Sequence, residues 1–401
     1  MLDKKIFYLG NYLSEDIALL RQLPTSNTAG SNRIKRISEA LSLSHQVTVY
    51  SPGFSARVKL NIRELYLNRV SFRANGVFYN FSSGISIPFL GLLFNYALYF
   101  YDVILNIITK KPKVIIIYNF DPINLFLTIV IRLLFKKIKV LNNIEDISVP
   151  KFRDFSRNSE DRGVQQLIFF VCMRMIATMC HAYIIPTKKF IAFLPEKRNI
   201  LIVTGCINVK QNEPLARSKI NILFAGKIAY EHGIDVFIEA IEIIKSKGFL
   251  NNYDIHISGS GEKANWLEKK LKISNYDNVC YHGFASSVLY NELLDQSDIC
   301  VALQNPNGRH SKFKTPSKVY EYMGNSKVVV ATNVGDLMEV SDLGLIKLCE
   351  PFNASYLADI LISFRLKDLV QYRERTATFA LENYDYTSVN VQLNQLIRDV
   401  R

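Results

Sequence analysis

The sequence predicts an α/β protein built as two doubly wound, Rossmann-like domains facing each other across a cleft. Three observations predict it. Short strand-like runs alternate with helical patterns along nearly the whole chain. The alternation halts at a polar, proline-bearing segment, Asn208 to Ser218, and then starts again. Glycine-rich turns sit at several strand–helix junctions, where open parallel sheets hold their ligands.

The first strand is Lys4–Leu9, followed by a polar loop from Gln22 to Ser31. A helix follows from about Asn32 to Leu43, because Ile34, Ile37 and Leu41 share one helical face. Further strands are Gln46–Tyr50, Val77–Phe81, Lys113–Tyr118, Lys139–Asn143, Ala182–Ile185 and Asn199–Val203. The second series has strands Ile220–Ala225, Asp254–Ser258, Asn278–His282, Asp298–Leu303 and Lys327–Thr332. Its helices are Gly233–Lys247, Lys263–Lys272, Ser286–Gln296 and Ser317–Met323. The reading gives a first domain over residues 1–208 and a second over 209–374.

Apolar residues make up 49% and charged residues 21% of the 401, a balance that excludes a disordered chain and allows two sizeable cores. The six cysteines are scattered with no C-x-x-C pair, so they read as buried reduced thiols and not as a zinc site. The apolar part of the N-terminus is too short for a signal peptide, and the expected location is the cytoplasm.

The formal charge of +13 calls for an anionic partner. No recognition helix or stacking motif accompanies the basic residues, so nucleic acid is not expected. Basic residues instead interleave with greasy stretches, Phe89–Ile108 and Leu125–Phe135. That pattern suits peripheral docking on the cytoplasmic face of an inner membrane. Asn95, Asp102 and Asn106 argue against reading Phe89–Ile108 as a spanning helix.

Several short stretches carry candidate chemistry. Ser26 to Arg33 follows the first strand; Gly30 allows a tight turn, and the helix start after it offers free N–H groups to a phosphate. Gly226-Lys227 closes the first strand of the second domain, with His232-Gly233 five residues on. Ser258-Gly259-Ser260-Gly261 and His282-Gly283-Phe284 are glycine turns after the next two strands. Ser317-Lys318-Val319-Tyr320-Glu321 opens a helix, with Lys318 and Glu321 on one face. A carboxylate there can accept two hydrogen bonds from a vicinal diol such as a ribose. In the first domain Asn119-Phe120-Asp121 and Glu145-Asp146 lie at strand ends. Such carboxylates can polarise a hydroxyl or cap a helix.

These motifs, in this order, resemble retaining glycosyltransferases of family GT4, which have the GT-B fold. The likeness is strongest from Asn221 to Glu339. It implies a donor site made by Gly30, Arg33, Gly226, Lys227, His232, Gly259, Gly261, His282, Gly283, Phe284, Ser317, Lys318 and Glu321. Lys227 takes the place of an arginine and His232 that of a lysine, the two cations that hold the donor diphosphate; Glu321 binds the ribose. Glu145 and Asp146 resemble acidic residues of some polysaccharide glycosyltransferases, and with Lys227 are the expected catalytic groups. Phe313 stands where many members carry the first Glu of a Glu-x7-Glu pair. The loop before it offers Arg309, His310 and Ser311 as substitutes. The resemblance also implies that residues 375–401 return to the first domain. No metal or cofactor is expected besides the nucleotide-sugar co-substrate.

The expected function is transfer of a sugar, with retention, from a nucleotide sugar to a carbohydrate or lipid-linked glycan, in bacterial cell-surface polysaccharide synthesis. Two rivals stand beside it. A nucleotide-sugar 2-epimerase would turn over without an acceptor. A non-catalytic GT-B scaffold of a polysaccharide assembly complex is motivated by Phe313 and His232.

Overall fold

The computed structural model describes residues 4–21, 28–53, 65–87, 90–145, 160–195, 199–210, 218–274, 276–308 and 311–400. Two compact units emerge, one from residues up to Cys206 together with Tyr386–Arg401, the other from Ile207–Asp385.

The first unit runs β1 (Lys5–Leu9), α1 (Glu15–Leu20), α2 (Thr28–Ser42), β2 (Gln46–Ser51), β3 (Tyr66–Leu67), β4 (Val70–Ala74), β5 (Val77–Phe81), β6 (Gly84–Ile85), α3 (Leu90–Lys110), β7 (Val114–Tyr118), α4 (Pro122–Leu134), β8 (Lys139–Asn143), α5 (Glu160–Met179), β9 (Ala182–Ile185) and β10 (Asn199–Ile202). Its main sheet has the order β10-β9-β8-β7-β1-β2-β5-β4, parallel except for β4 against β5. Strand β7 is Val-Ile-Ile-Ile-Tyr and wholly buried, as a central parallel strand covered on both faces must be.

The chain winds outward from β1 to β2 and β5, then returns to β7 on the other side of β1. Right-handed crossovers therefore put α2 on one face and α3, α4 and α5 on the other. Packing agrees: Phe100 of α3 meets Phe126 of α4 with ring centroids 5.1 Å apart. The α2 face buries Ile6, Tyr8, Val47 and Val49 against Ile34, Ile37 and Leu41.

The second unit runs β11 (Ile220–Ala225), α6 (Ile234–Ser246), β12 (Tyr253–Ser258), α7 (Ala264–Ser274), β13 (Val279–Tyr281), α8 (Ser287–Gln296), β14 (Ile299–Ala302), α9 (Ser317–Gly324), β15 (Val328–Ala331), α10 (Leu337–Asp342), β16 (Lys347–Leu348), α11 (Ala354–Ser363) and α12 (Leu366–Asn383). The chain then re-enters the first unit as α13 (Tyr386–Asp399). The second sheet, β13-β12-β11-β14-β15-β16, is all parallel.

Four features differ from the sequence reading. The return to the first unit begins at Tyr386 and not near 375, because α12 belongs with the second core. Arg373 of α12 is buried, pairs with Asp298 at 3.5 Å and donates to the Ser326 carbonyl at 2.9 Å. Helix α13 then packs on α2, with the Tyr386 hydroxyl donating to Glu39 at 2.8 Å. The first break falls after Cys206 rather than 208. Helix α2 starts at Thr28, so Gly30 lies in its first turn and not in a preceding loop. Finally, Cys280 is exposed while the other five cysteines are buried and all six are free thiols. It sits on β13, the edge strand, whose one neighbour is β12.

Candidate functional site

In the second unit the chain winds from β11 to β12 and β13, then returns to β14 on the far side of β11. The winding reverses between the carboxyl ends of β11 and β14, the place where doubly wound sheets open a crevice for ligands. Gly226 and Lys227 follow β11, and residues 303–316 follow β14 and lead into α9. Sheet topology thus brings two distant stretches to one point.

Four nitrogen-bearing side chains converge there. Lys318, in the first turn of α9, is half-buried, and its ammonium donates to the Ala225 carbonyl. A Cβ placed on Gly226 would stand 3.2 Å from that ammonium. Burial pushes Lys318 down to about 8, and Glu321 opposes the shift. His232 closes a 3-10 turn, Tyr230–His232. Its pKa is lowered by burial first, then by the fields of Lys314 and Lys227, with a further contribution from Lys318. Three ammonium groups thus lie near enough to the imidazole to depress it, against the opposing carboxylate of Glu231. Lys227 itself is exposed. The 303–316 stretch is held to the turn by the Asn305 amide, which donates to the Glu231 carbonyl at 2.9 Å.

Glu321 lies one turn along α9 from Lys318 and is half-buried. It accepts a hydrogen bond from the Tyr290 hydroxyl at 3.3 Å. The Tyr290 ring, from α8, also lies 5.8 Å from the Lys318 ammonium. Ser317 is exposed at the first position of α9, where the backbone N–H groups have no intrahelical partner. Tyr290 and Lys314 are site residues that the sequence reading did not single out. Tyr290 stands 31 residues from Glu321, so no local spacing announces it.

Gly259 and Gly261 have a packing reason that is independent of any ligand. A Cβ on Gly259 would lie 1.7 Å from the Gly226 carbonyl oxygen, and one on Gly261 would lie 2.3 Å from that of Ile228. The Gly226 and Ile228 amides donate to Ser258 and Ser260 at 2.9 and 3.0 Å. The two turns are laid backbone on backbone, which is what brings Gly226 and Lys227 to their place. Next in line, the Gly259 amide donates to Gly283 at 2.7 Å. His282 is half-buried, is hydrogen-bonded through Nε2 to His256 Nδ1 at 3.0 Å, and is depressed in pKa by burial. Phe284, 78% exposed, offers an uncovered ring beside it.

Phe313 sits in a 3-10 turn, Ser311–Phe313, half-buried. Arg309 and His310, expected as its substitutes, lie outside the described residues, whereas Ser311 is buried.

In the first unit the corresponding reversal lies between β1 and β7. Asn119, at the end of β7, adopts a positive φ of 55°. Its side-chain oxygen accepts from the Glu145 amide at 2.7 Å. The Tyr118 hydroxyl donates to the Glu145 carboxylate. Arg33 of α2 donates to Asn143 at 3.1 Å and to the Val203 carbonyl at 3.0 Å, so two of its nitrogens serve the unit itself. Gly30, at the start of the same helix, is buried. Asp121 caps α4, accepting from the Asn124 amide at 2.7 Å; burial raises it to about 6. Asp146 lies outside the described residues.

No curated protein matches this sequence closely enough to serve as a relative. Among solved structures, the sucrose-phosphate synthase of Thermosynechococcus elongatus is 14% identical with a TM-score of 0.68, covering 99% of this chain and 98% of its own. WaaG, a glycosyltransferase involved in lipopolysaccharide biosynthesis, is 15% identical with a TM-score of 0.62, covering 98% and 100%. The trehalose-6-phosphate synthase OtsA is 9% identical with a TM-score of 0.64, covering 99% of each. At these identities the likeness is one of fold. The chain has the GT-B fold, and its residues 219–364, which hold the lysine cluster, match the family model of glycosyl transferases group 1.

Proposed function

We propose that this protein is a glycosyltransferase that moves a sugar, with retention, from a nucleotide-sugar donor to a carbohydrate or lipid-linked glycan acceptor, in the synthesis of a bacterial cell-surface polysaccharide. One observation carries the reading. Lys227, Lys314, Lys318 and His232 gather at the reversal point of a doubly wound sheet, with the Glu321 carboxylate one helical turn away. A nucleoside diphosphate has the matching polarity: a dianionic bridge for the ammonium groups and a ribose diol for the carboxylate. The class of the segment that holds the cluster points the same way.

The rate-limiting charge in such a transfer is the one that builds on the departing diphosphate. Fixed cations in a partly dehydrated site stabilise that charge more than water does. Lys318 suits the task, because its amine is held by the Ala225 carbonyl before any ligand arrives. Among the described residues no three His, Cys, Asp or Glu side chains gather as a metal-binding set. The proposal gives the charge neutralisation to the lysines. In the first unit Glu145, fixed at its amide by Asn119, is the group proposed to orient an acceptor hydroxyl.

The test is a thermal-shift panel of nucleoside diphosphates and nucleotide sugars, followed by acceptor screening with the donor that binds. Stabilisation by one base is expected, at RT ln(1 + [L]/Kd) for a ligand that binds only the folded state. No shift with any of them would sink the donor-site reading. It would leave the non-catalytic scaffold, which Phe313 favours. Turnover without acceptor would instead point to an epimerase.

A further inference from the structure

Among the described residues one helix is long and apolar enough to cross a membrane, Gly91–Lys110, with mean hydropathy 1.4. Its orientation in the fold is the reverse of a soluble surface helix. Two polar groups along its length point inward: Asn95 exchanges two hydrogen bonds with the backbone of Ile85, and Asp102 pairs with Arg69 at 2.6 Å, while exposed Thr109 and Lys110 lie at its carboxyl end. Tyr99, Val103 and Ile107 cover the sheet between them. What faces outward is apolar: Leu93 is 73% exposed, Tyr101 62%, and Ile108 is exposed as well. Helix α4, packed beside it, continues the surface with Phe126, Leu133 and Leu134, the last two 66% and 69% exposed. An ordinary amphipathic helix spends its polar residues on solvent. Here the outer faces of two adjoining helices are greasy, which marks an interaction surface.

The charge around this surface names its occupant. Lys111 and Lys113 lead into β7, and Lys136 and Lys137 lie just before β8; all four are exposed. The strands are parallel, so these lysines line one edge of the sheet. Residues 90–145 contain three carboxylates, and none is exposed: Asp102 is paired inward, Asp121 caps α4 and Glu145 meets Tyr118. An apolar face with a cationic rim and no exposed acid matches the interface of an anionic bilayer. A second copy seated there would bring its own lysines against these.

We propose that the outer faces of α3 and α4 are a monotopic docking surface for a membrane containing anionic phospholipid. The helices lie in the interface and do not span it, since the inner face of α3 is committed to the sheet. The lysine edge meets the headgroups, and the opposite edge, where Glu145 lies, stays in water. This holds whether or not the second unit transfers a sugar.

Cosedimentation of the full chain with phosphatidylcholine vesicles, with and without phosphatidylglycerol, tests it. Binding is expected to vesicles with phosphatidylglycerol, to be weaker to phosphatidylcholine alone, and to fall with salt. Each headgroup lysine contributes about fivefold, so Lys111→Gln, Lys113→Gln, Lys136→Gln and Lys137→Gln together should weaken binding by at least about a hundredfold. Leu93→Glu with Tyr101→Glu should abolish it, with an unchanged melting temperature because both side chains are exposed. The proposal is overturned if the wild type stays in the supernatant, if it binds neutral and anionic vesicles equally, or if either set of variants binds as the wild type does. It is also overturned if the lipid-free protein is a dimer that Leu93→Glu dissociates.

Discussion

Replacing Lys318 with methionine is expected to make the protein more stable and to disable its anion site. An ammonium moved from 10.5 to about 8 carries an electrostatic penalty in the folded state. At 1.36 kcal/mol per tenfold, that penalty is about 3 kcal/mol. Methionine removes it but leaves the Ala225 carbonyl without its charged donor, a loss of about 1.5 kcal/mol. The net gain is about 2 kcal/mol at pH 7, or a rise of about 4–8 °C in Tm for a unit of this size. The sign with pH follows from proton counting. Between about 8 and 10.5 the folded wild type holds fewer protons than the unfolded chain, so its stability rises with pH across that window. Lys318→Met has no such rise, so the wild type should overtake it at about pH 9.4, once it has regained about 2 kcal/mol. Thermal melts at pH 7 and at the alkaline end measure this, and calorimetry with a nucleoside diphosphate measures the site. Loss of one charge-assisted contact should weaken binding by about 10- to 100-fold. A variant that is less stable at pH 7, or one that binds diphosphate as the wild type does, refutes the assignment.

Three further outcomes follow from the same geometry. Glu321→Gln should cut the preference for a nucleoside diphosphate over its 2′,3′-dideoxy analogue to near unity, since the carboxylate is assigned to the ribose diol; a competition titration reads the ratio. Burial and then the neighbouring lysines depress His232, and a bound anion raises it again. The complex therefore takes up a proton as the medium is acidified through the histidine range. Diphosphate affinity should tighten as pH falls through the histidine range, and His232→Gln should flatten that slope in a pH series of calorimetric titrations. Gly259→Ala would drive a Cβ to 1.7 Å from the Gly226 carbonyl at a φ of +143°, for a cost of more than about 3 kcal/mol. Its melting temperature should fall and its diphosphate affinity with it, because the Gly226 turn must move.

Sheet strands with continuous apolar runs were legible from sequence to within a residue or so. Val77–Phe81, Lys139–Asn143, Ala182–Ile185 and Ile220–Ala225 occur with the expected bounds. Strand β4 was missed, although Asn75-Gly76 between it and β5, both at positive φ, carries the chemistry of a tight hairpin turn. Val70–Ala74 lacks a continuous apolar run, because this edge strand alternates half-buried and exposed positions. Two-residue strands such as β3 and β16 carry no periodicity to detect. The helical phase is silent at the start of α2 because Thr28-Ala29-Gly30 has no large apolar side chain to set it. At the site, residues adjacent in sequence were found, and residues joined by topology were not. Lys318 and Glu321 announce themselves by i, i+3 spacing. Tyr290 and Lys314 become site residues once α8, β14 and α9 are folded together. The two glycines of Ser258–Gly261 were read for a ligand, whereas their immediate constraint is the neighbouring loop.

The uneven burial of the thiols has a practical consequence. Five cysteines are shielded by the folded cores, and Cys280 is open to solvent on its edge strand, with its sulfur 3.9 Å from the His282 ring. A maleimide dye therefore has a single address in the native protein and six in the denatured one. Labelling stoichiometry becomes a direct count of folded molecules. The attached fluorophore, two residues from His282, turns filling of the crevice into an optical signal that can be followed in real time without a radioactive or coupled assay.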